Sequence, residues 1–238
     1  GFSDAVSDAL IKLVWWILWT APIGVFGLVA PVTAQLGWGL IQSLAVFVLS
    51  VLFGLVIYLG LMYLAPLSVI AGIGPKRFFS GTFGAASIVF STTSTVTALP
   101  ITLEESKRNL DVSEHVADLV IPLGASMYRP GSALFQGAAI VFLADLYSVP
   151  FPVTAVGGAL LATFLAALTV APVPSSGVMT LAPALDAVGI PLSGLAILLG
   201  IDRIPDMFRS TTNLLGQVTA ATLIDQWVGD STDVLPGR

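Results

Sequence analysis

Charged and amide side chains recur at helical spacing within the last apolar segment of the chain. Asp202, Asp206, Arg209, Asn213 and Gln217 follow one another at intervals of four, three, four and four positions. This spacing puts all five on one stripe of an α-helix. The flanking residues are apolar, and a charge within a membrane costs about 2.5–3.5 kcal/mol on the insertion scale, so ionisable residues retained there usually mark a substrate path. The stripe therefore predicts a binding site that faces protein or water.

A structural ion pair is the alternative interpretation of the stripe. Asp206 and Arg209 are three positions apart, which allows a local salt bridge on one helix face. Pro205 lies beside the pair and removes a backbone hydrogen bond, so it interrupts the helix at the same place. That interruption favours a binding site. Arg203 lies off the stripe and is expected to pack or to reach an interface.

The composition identifies the environment in which these residues must work. Of 238 residues, 56% are apolar and 10% are charged, and the mean hydropathy is +0.96, whereas soluble domains are about a quarter charged. The polar residues lie in short clusters between apolar runs of roughly 20 residues or more, the length that spans a bilayer. We therefore expect an all-α integral membrane protein in contact with the lipid bilayer. The net charge of −5 comes without a long run of either sign, so no nucleic-acid partner is expected.

Six apolar segments are candidates for membrane-embedded elements, at about residues 9–34, 39–70, 78–102, 119–142, 153–170 and 192–224. By the positive-inside rule, loops without lysine or arginine, near Gln35 and Asp145, are the outer ones. The chain contains no cysteine, which excludes disulfides and thiolate sites. It opens at Gly1 without the features of a signal peptide, so we expect further spans upstream.

The interval between Arg77 and Lys107 predicts a re-entrant helical hairpin. Both ends are basic and hence expected on the cytoplasmic side. The 29 residues from 78 to 106 are too few for two spans of about 20 residues each. A hairpin that enters and leaves on the same side, turning in the polar tract from Ser91 to Pro100, fits this length.

The tract APVPSSG, from Ala171 to Gly177, predicts a second hairpin that enters from the outside. Its proline and hydroxyl groups at bilayer depth leave backbone groups unpaired, which is tolerated only where the turn is buried in protein or lines a cavity. Two such turns from opposite faces indicate a binding site at the midplane between inverted repeats. Two ordinary but poorly helical spans are the alternative.

Four strings together resemble the dicarboxylate/amino acid:cation symporter family, which includes the glutamate transporters. They are TAPIGVFGLVA (20–30), IPLGASMYRPGSALFQ (121–136), PVPSSGVM (172–179) and GIDRIPDMFRSTTNLLGQVTAATLI (200–224). The resemblance implies a glutamate-transporter-like fold whose N-terminal part is missing. It divides the chain into a scaffold transmembrane helix (1–36), a transport domain (37–228) and a polar tail (229–238). Within the transport domain it implies a span (39–70), an inner hairpin (78–106), a broken helix (112–146), an outer hairpin (150–190) and a last helix (192–226).

The same resemblance implies a function. The expected protein is a multi-pass secondary transporter of the plasma or inner membrane, a homotrimer that symports acidic amino acids or dicarboxylates by an elevator movement. Asp206 would bind the substrate amino group, Arg209 its side-chain carboxylate, and the hairpin-tip hydroxyls with Asn213 its α-carboxylate. Ser132 stands where the family usually has threonine. The implied substrate-binding residues are Ser94, Thr95, Ser132, Asp206, Arg209 and Asn213.

The chain departs from the family where sodium would bind. The family's broken helix reads N-M-D-G-T, and this chain has YRPGS from Tyr128 to Ser132, while Gln217 replaces an aspartate and Pro172 replaces a glycine. Hard cations need the oxygen ligands that are lost. We expect no cofactor and no metal site, with sodium coupling altered or lost, so that transport is either driven by protons or runs as exchange. The altered cation-site region comprises Tyr128, Arg129, Pro130, Asp202 and Gln217.

Arg129 introduces a cation where those anionic ligands are absent. One hypothesis is that its guanidinium occupies the region of a family sodium ion and holds carbonyl oxygens, with Asp202 or Asp206 as a further partner. The alternative is that Arg129 points to a water-filled cavity or reaches an interface.

Two other function classes remain. A transport-inactive paralogue could retain the fold as a binding or assembly subunit, but the substrate stripe is retained while the cation ligands are changed, which favours transport with altered coupling. An intramembrane enzyme is disfavoured, because the only histidine, His115, is beside a basic loop and the serine tracts have no evident general base.

Overall fold

The computed structural model describes residues 37–150, 153–168, 170 and 174–232, with isolated helical positions between 23 and 30. Almost all of the predicted scaffold helix (1–36), most of the polar tail (229–238) and Pro172 lie outside the described residues. The regular elements of the described part are all helices, which confirms the all-α fold class.

Helix α1, from Gly37 to Val69, is long and apolar enough to cross a membrane, because it has 33 residues and contains an 18-residue window with a mean hydropathy of 2.7. Among the described residues it is the one helix that meets both criteria; Phe83–Thr92 and Val156–Ala167 are apolar but shorter. Its stretch Leu59–Leu64 is π-helical and contains the buried Tyr63. Such π-helical turns are frequent at functional sites.

The segment predicted as the inner hairpin folds into α2 (Pro75–Gly81), α3 (Phe83–Thr92) and α4 (Leu99–Leu110). Proline in the first turn starts both α2 and α4, since its missing N–H costs nothing there. The turn after α3 begins at Thr93, which has a left-handed φ of 56°. At the opposite end, Arg77 Nε donates to the Asn109 carbonyl at 3.3 Å. The two ends of the hairpin are therefore neighbours.

Helices α5 (Glu114–Met127) and α6 (Pro130–Leu146) follow one another with a two-residue break. Pro130 starts α6 and cannot continue α5, because its ring and missing N–H prevent the next helical hydrogen bond.

The segment predicted as the outer hairpin contains α7 (Val153–Leu168) and the short helices α8 (Ser176–Met179) and α9 (Ala182–Ala187). Helix α9 packs against α7. Ser175, just before α8, has a left-handed φ of 60°. The turns of the two predicted hairpins, at Thr93 and at Ser175, therefore each contain a hydroxyl residue in the left-handed conformation.

The last two helices, α10 (Gly194–Ile201) and α11 (Arg203–Thr232), are separated by Asp202. Helix α11 packs against α3, α5 and α6 and so contacts the inner hairpin and both halves of the broken helix. One apolar cluster joins α1, α6, α9 and α10, and another joins the end of α1, α5 and α11.

Large apolar side chains cover much of the outer surface. They are exposed on α1, α5 and α7, as on any face in contact with lipid, and include Val46, Leu49, Phe53, Val56, Leu119, Leu123, Met127, Leu160, Leu161 and Phe164.

Candidate substrate-binding site

The polar stripe of α10 and α11 is buried within the protein. Asp202, Asp206, Arg209, Asn213 and Gln217 are each 4% exposed or less. The helical spacing predicts this common face. Burial of ionised groups requires close partners, and the partners differ along the stripe.

Arg209 is paired with both aspartates. Its Nη1 donates to Asp202 Oδ1 at 2.7 Å and its Nη2 to Asp202 Oδ2 at 3.2 Å. Nη2 also lies 3.0 Å from Asp206 Oδ1. The expected local pair between Asp206 and Arg209 is thus present, but the two parallel bonds go to Asp202, two helical turns away.

The Arg209 guanidinium is packed against an aromatic ring and against the backbone of the outer tip. Its Cζ lies 4.3 Å from the centre of the Phe135 ring, at the distance of a cation–π contact. On the side of the outer tip, a Cβ added to Gly177 would be 3.0 Å from Arg209 Cζ. Glycine therefore lets the backbone of α8 approach the guanidinium closely.

Asp206 also binds the outer hairpin tip. The Ser175 N–H donates to Asp206 Oδ2 at 3.0 Å, and the Ser210 hydroxyl donates to Asp206 Oδ1 at 3.3 Å. The Ser175 N–H therefore links Asp206 to the tip, while Ser210 and Arg209 bind Asp206 from within α11.

Asn213 joins α11 to the start of α6. Its Oδ1 accepts from the Gly131 N–H at 2.8 Å, and its Nδ2 donates to Ser132 Oγ at 3.2 Å. A Cβ on Gly131 would lie 2.6 Å from the Arg209 carbonyl oxygen. Only glycine allows this approach, which brings the predicted residues Ser132, Arg209 and Asn213 together.

At the inner hairpin tip, Thr95 contacts the break between α5 and α6. Arg129 donates from Nη1 to Thr95 Oγ1 at 3.2 Å and from Nη2 to the Ala125 carbonyl at 2.6 Å. Ser94 is half-buried, and its hydroxyl accepts a weak bond from the Thr97 N–H at 3.4 Å. The tip is thus bound to the broken helix through Thr95 rather than Ser94.

Arg129 is 5% exposed and so does not reach an interface. It interacts electrostatically with Asp206, while its hydrogen bonds go to a carbonyl and a hydroxyl. Pro130, half-buried, begins α6 beside it.

Gln217 and Tyr128 lie apart from the ionic cluster. They line a groove of about 230 Å³ between α5 and α11, together with Val120, Leu123, Gly124, Met127 and Ala220. Neither amide atom of Gln217 has a hydrogen-bond partner among the described residues. Within that part of the chain no cluster of histidine, aspartate or glutamate is placed to hold a metal ion.

The sequence did not predict Gln136 and Ser175 as residues of the site, and it predicted only that Arg203 packs or reaches an interface. Gln136 donates to the Gly177 carbonyl at 3.0 Å and to Thr180 Oγ1 at 2.9 Å, Ser175 binds Asp206, and the exposed Arg203 donates to the Ser91 carbonyl at 2.7 Å. Gln136 could have been found as an amide four positions after Ser132 in an apolar helix. The partners of Ser175 and Arg203 leave no local sequence signal.

Comparison with known proteins gives matches along nearly all of the chain. Residues 1–227 match the Sodium:dicarboxylate symporter family. A proton/sodium-glutamate symport protein of Bacillus subtilis (strain 168) is 31% identical over 229 residues, which is 96% of this chain and 53% of the relative.

Two animal proteins match with similar strength. A neutral amino acid transporter B(0) of Oryctolagus cuniculus is 30% identical over 230 residues, covering 95% of this chain and 42% of the relative. The Homo sapiens excitatory amino acid transporter 2 is 28% identical over 225 residues, covering 94% of this chain and 39% of the relative. The chain thus spans about half the length of these curated relatives, or less.

Proposed function

Because the chain belongs to the Sodium:dicarboxylate symporter family, we propose that it is the substrate-binding half of a secondary active transporter for acidic amino acids or dicarboxylates. The family consists of membrane symporters rather than enzymes. We place the protein in the plasma or inner membrane as a multi-pass homotrimer that works by an elevator movement.

One observation carries this proposal: a buried ionic cluster lies where two hairpin tips and a broken helix meet. Ser175 of the outer tip bonds to Asp206, and Thr95 of the inner tip bonds to Arg129 at the break. Ion pairs buried beside two tips can be exposed by moving either tip, which is the arrangement that alternating access requires.

The acidic substrate class follows from Arg209. A guanidinium presents a planar fork that matches a carboxylate with two parallel bonds. In the proposed complex Arg209 binds the distal carboxylate, Asp206 the amino group, and Ser94, Thr95, Ser132 and Asn213 surround the α-carboxylate. A relative named for glutamate supports an acidic substrate for this protein. Another relative is named for neutral amino acids, so a neutral amino acid is the alternative substrate class.

Sodium coupling is proposed to be altered or lost. The amide of Gln217 and the proline at 130 supply no carboxylate where the family pattern has one, and Arg129 adds a fixed positive charge between the inner tip and α5. A bound sodium ion would have to share this region with a guanidinium, which like charge disfavours.

We also propose that both hairpins are re-entrant. For the inner one, the contact of Arg77 with Asn109 supports two ends on the same face. Single cysteines placed at Arg77 and Lys107 should react with a membrane-impermeant reagent from one side only. Reaction from opposite sides would contradict re-entry.

Uptake of labelled substrate by the complete protein in liposomes tests the function. We expect saturable uptake of aspartate or succinate that persists when choline replaces sodium, and no uptake by Arg209→Ala. The Arg203→Ala protein, which loses an exposed arginine of the same helix, is the control. Binding without uptake would favour the transport-inactive paralogue, and a tenfold gain of affinity in sodium would contradict altered coupling.

A further inference from the structure

We propose that Asp202 is a proton acceptor: an acidic substrate displaces it from Arg209, and the freed carboxylate takes up one proton. This inference rests on the proposed function and names the coupling chemistry of the same site.

The geometry of Arg209 requires an exchange of partners. Asp202 accepts two parallel hydrogen bonds from Nη1 and Nη2 at the end of the guanidinium, and Asp206 Oδ1 forms an ion pair with Nη2 at 3.0 Å. Phe135 covers one face and the backbone at Gly177 approaches closely. A substrate carboxylate can form a two-bond pair with Arg209 only if one of the two aspartates leaves.

Asp202 is the aspartate that depends on Arg209. Asp206 keeps the Ser175 N–H and the Ser210 hydroxyl if its contact with Arg209 is lost. Both oxygens of Asp202 bond to Arg209, and the Ser175 side chain and the carboxylate of Asp206 also interact with Asp202. Exchange at Asp202 therefore leaves the outer tip attached to Asp206.

A displaced Asp202 has no solvent to receive its charge. Its side chain is completely buried, and an ionised carboxylate without a cationic partner is strongly disfavoured in such a place. A proton from solvent then binds one Asp202 oxygen. When the substrate leaves, the carboxyl group loses that proton and pairs with Arg209 again, so one proton accompanies each acidic substrate.

The charges near Asp202 support a count of one proton. Arg209, Asp206 and Arg129, which interacts with Asp206, make a formally neutral set with Asp202. An acidic amino acid adds one net negative charge, and one proton restores neutrality. A neutral amino acid adds no net charge and has no distal carboxylate for Arg209.

The surrounding elements supply no rival acceptor near this cluster. Residues 148–185, which include the outer hairpin tip, contain no titratable side chain, nor do α3, α10 and residues 131–144 of α6. Arg203 faces outward and bonds to the Ser91 carbonyl. The carboxylates of α4 and α5 belong to the opposite end of those helices, where Asp118 pairs with Lys107.

Calorimetry of aspartate binding to the complete protein, in two buffers with different ionisation enthalpies, measures the protons taken up. We expect about one proton to be taken up per aspartate bound. The affinity for aspartate should therefore fall as the pH rises, by up to about tenfold per pH unit where one proton is linked to binding. Asp202→Asn should bind aspartate with no proton uptake. Asp186→Asn, which alters an exposed carboxylate on α9, should behave like the unmodified protein.

The outcomes separate the two claims. Aspartate binding without proton uptake by the unmodified protein, or undiminished uptake by Asp202→Asn, overturns the role of Asp202 and leaves the transporter proposal standing. If Asp202→Asn does not fold, the proton count and the pH dependence of the unmodified protein decide alone. Failure of the unmodified protein to bind either aspartate or succinate overturns the proposed function and this inference together.

Discussion

Two buried arginines lie near each other in this protein and are stabilised in different ways. Arg209 is bound by two carboxylates. Arg129 hydrogen-bonds to the Ala125 carbonyl and the Thr95 hydroxyl. Both are almost inaccessible to solvent, so each must be compensated by protein groups.

The difference separates an exchangeable partner from a fixed one. A carboxylate on Arg209 can be replaced by another carboxylate, such as that of a substrate, and can take a proton when it is released. The carbonyl partner of Arg129 belongs to the last turn of α5, where the helix dipole favours a positive charge, and it can do neither. We therefore assign recognition to Arg209 and attachment of the inner tip to Arg129.

The largest effect should come from Arg209→Ala. It leaves Asp202 and Asp206 buried without their cation, and breaking a buried pair in this way costs about 3–5 kcal/mol. Aspartate binding should be lost, which calorimetry measures, and thermal unfolding should report the loss of stability. Adding Asp202→Asn should recover part of that stability, because it removes one uncompensated charge. Unchanged aspartate affinity in Arg209→Ala would contradict the assignment.

An intermediate effect is expected from Arg129→Met, which keeps much of the side-chain volume but removes both hydrogen bonds. Leaving the Ala125 carbonyl and the Thr95 hydroxyl without this donor should cost about 1–3 kcal/mol. Aspartate affinity should fall without being abolished. Arg203→Met is the matched control, since the exposed Arg203 also donates to a carbonyl and should change stability little. Complete loss of aspartate binding in a folded Arg129→Met protein would end the distinction between the two arginines.

The smallest effect should come from Gly177→Ala. The new methyl group would be 3.0 Å from Arg209 Cζ and Nη2, so the guanidinium must shift, at a cost near the lower end of overpacking, about 1 kcal/mol. We expect aspartate affinity to fall about fivefold. Gly158→Ala, in α7 with no neighbouring atom within 4 Å of the added Cβ, should have no such effect. Equal affinities for the two variants would show that Arg209 need not be tightly confined.

Local patterns in the sequence account for several features of the structure. The spacing of the stripe predicts one buried face on the last helix, and all five residues are buried. Pro130 predicts a helix start, and α6 begins there. These features depend on the helical period and on the missing N–H of proline, which act over a few residues.

Contacts between distant segments could not be obtained this way. The sequence allowed an Asp206–Arg209 pair, but it did not indicate that Asp202 would take both bonds of the fork, because that depends on how the chain turns at Asp202. Likewise, the hydrogen bond from Gly131 to Asn213 spans 82 positions and that from Arg129 to Thr95 spans 34. Such pairs form only when separate helices pack.

The sequence alone determined that the chain is helical and apolar, which residues share a face of the last helix, and where proline interrupts regular structure. Each follows from composition or from short-range backbone geometry. Only the tertiary structure decided which buried charges pair with each other. By residue type alone, several carboxylate, carbonyl and hydroxyl oxygens could accept the hydrogen bonds of the same arginine. Packing of α11 against α3, α5 and α6 selects among them, and it is this selection that makes Asp202 the exchangeable partner of Arg209.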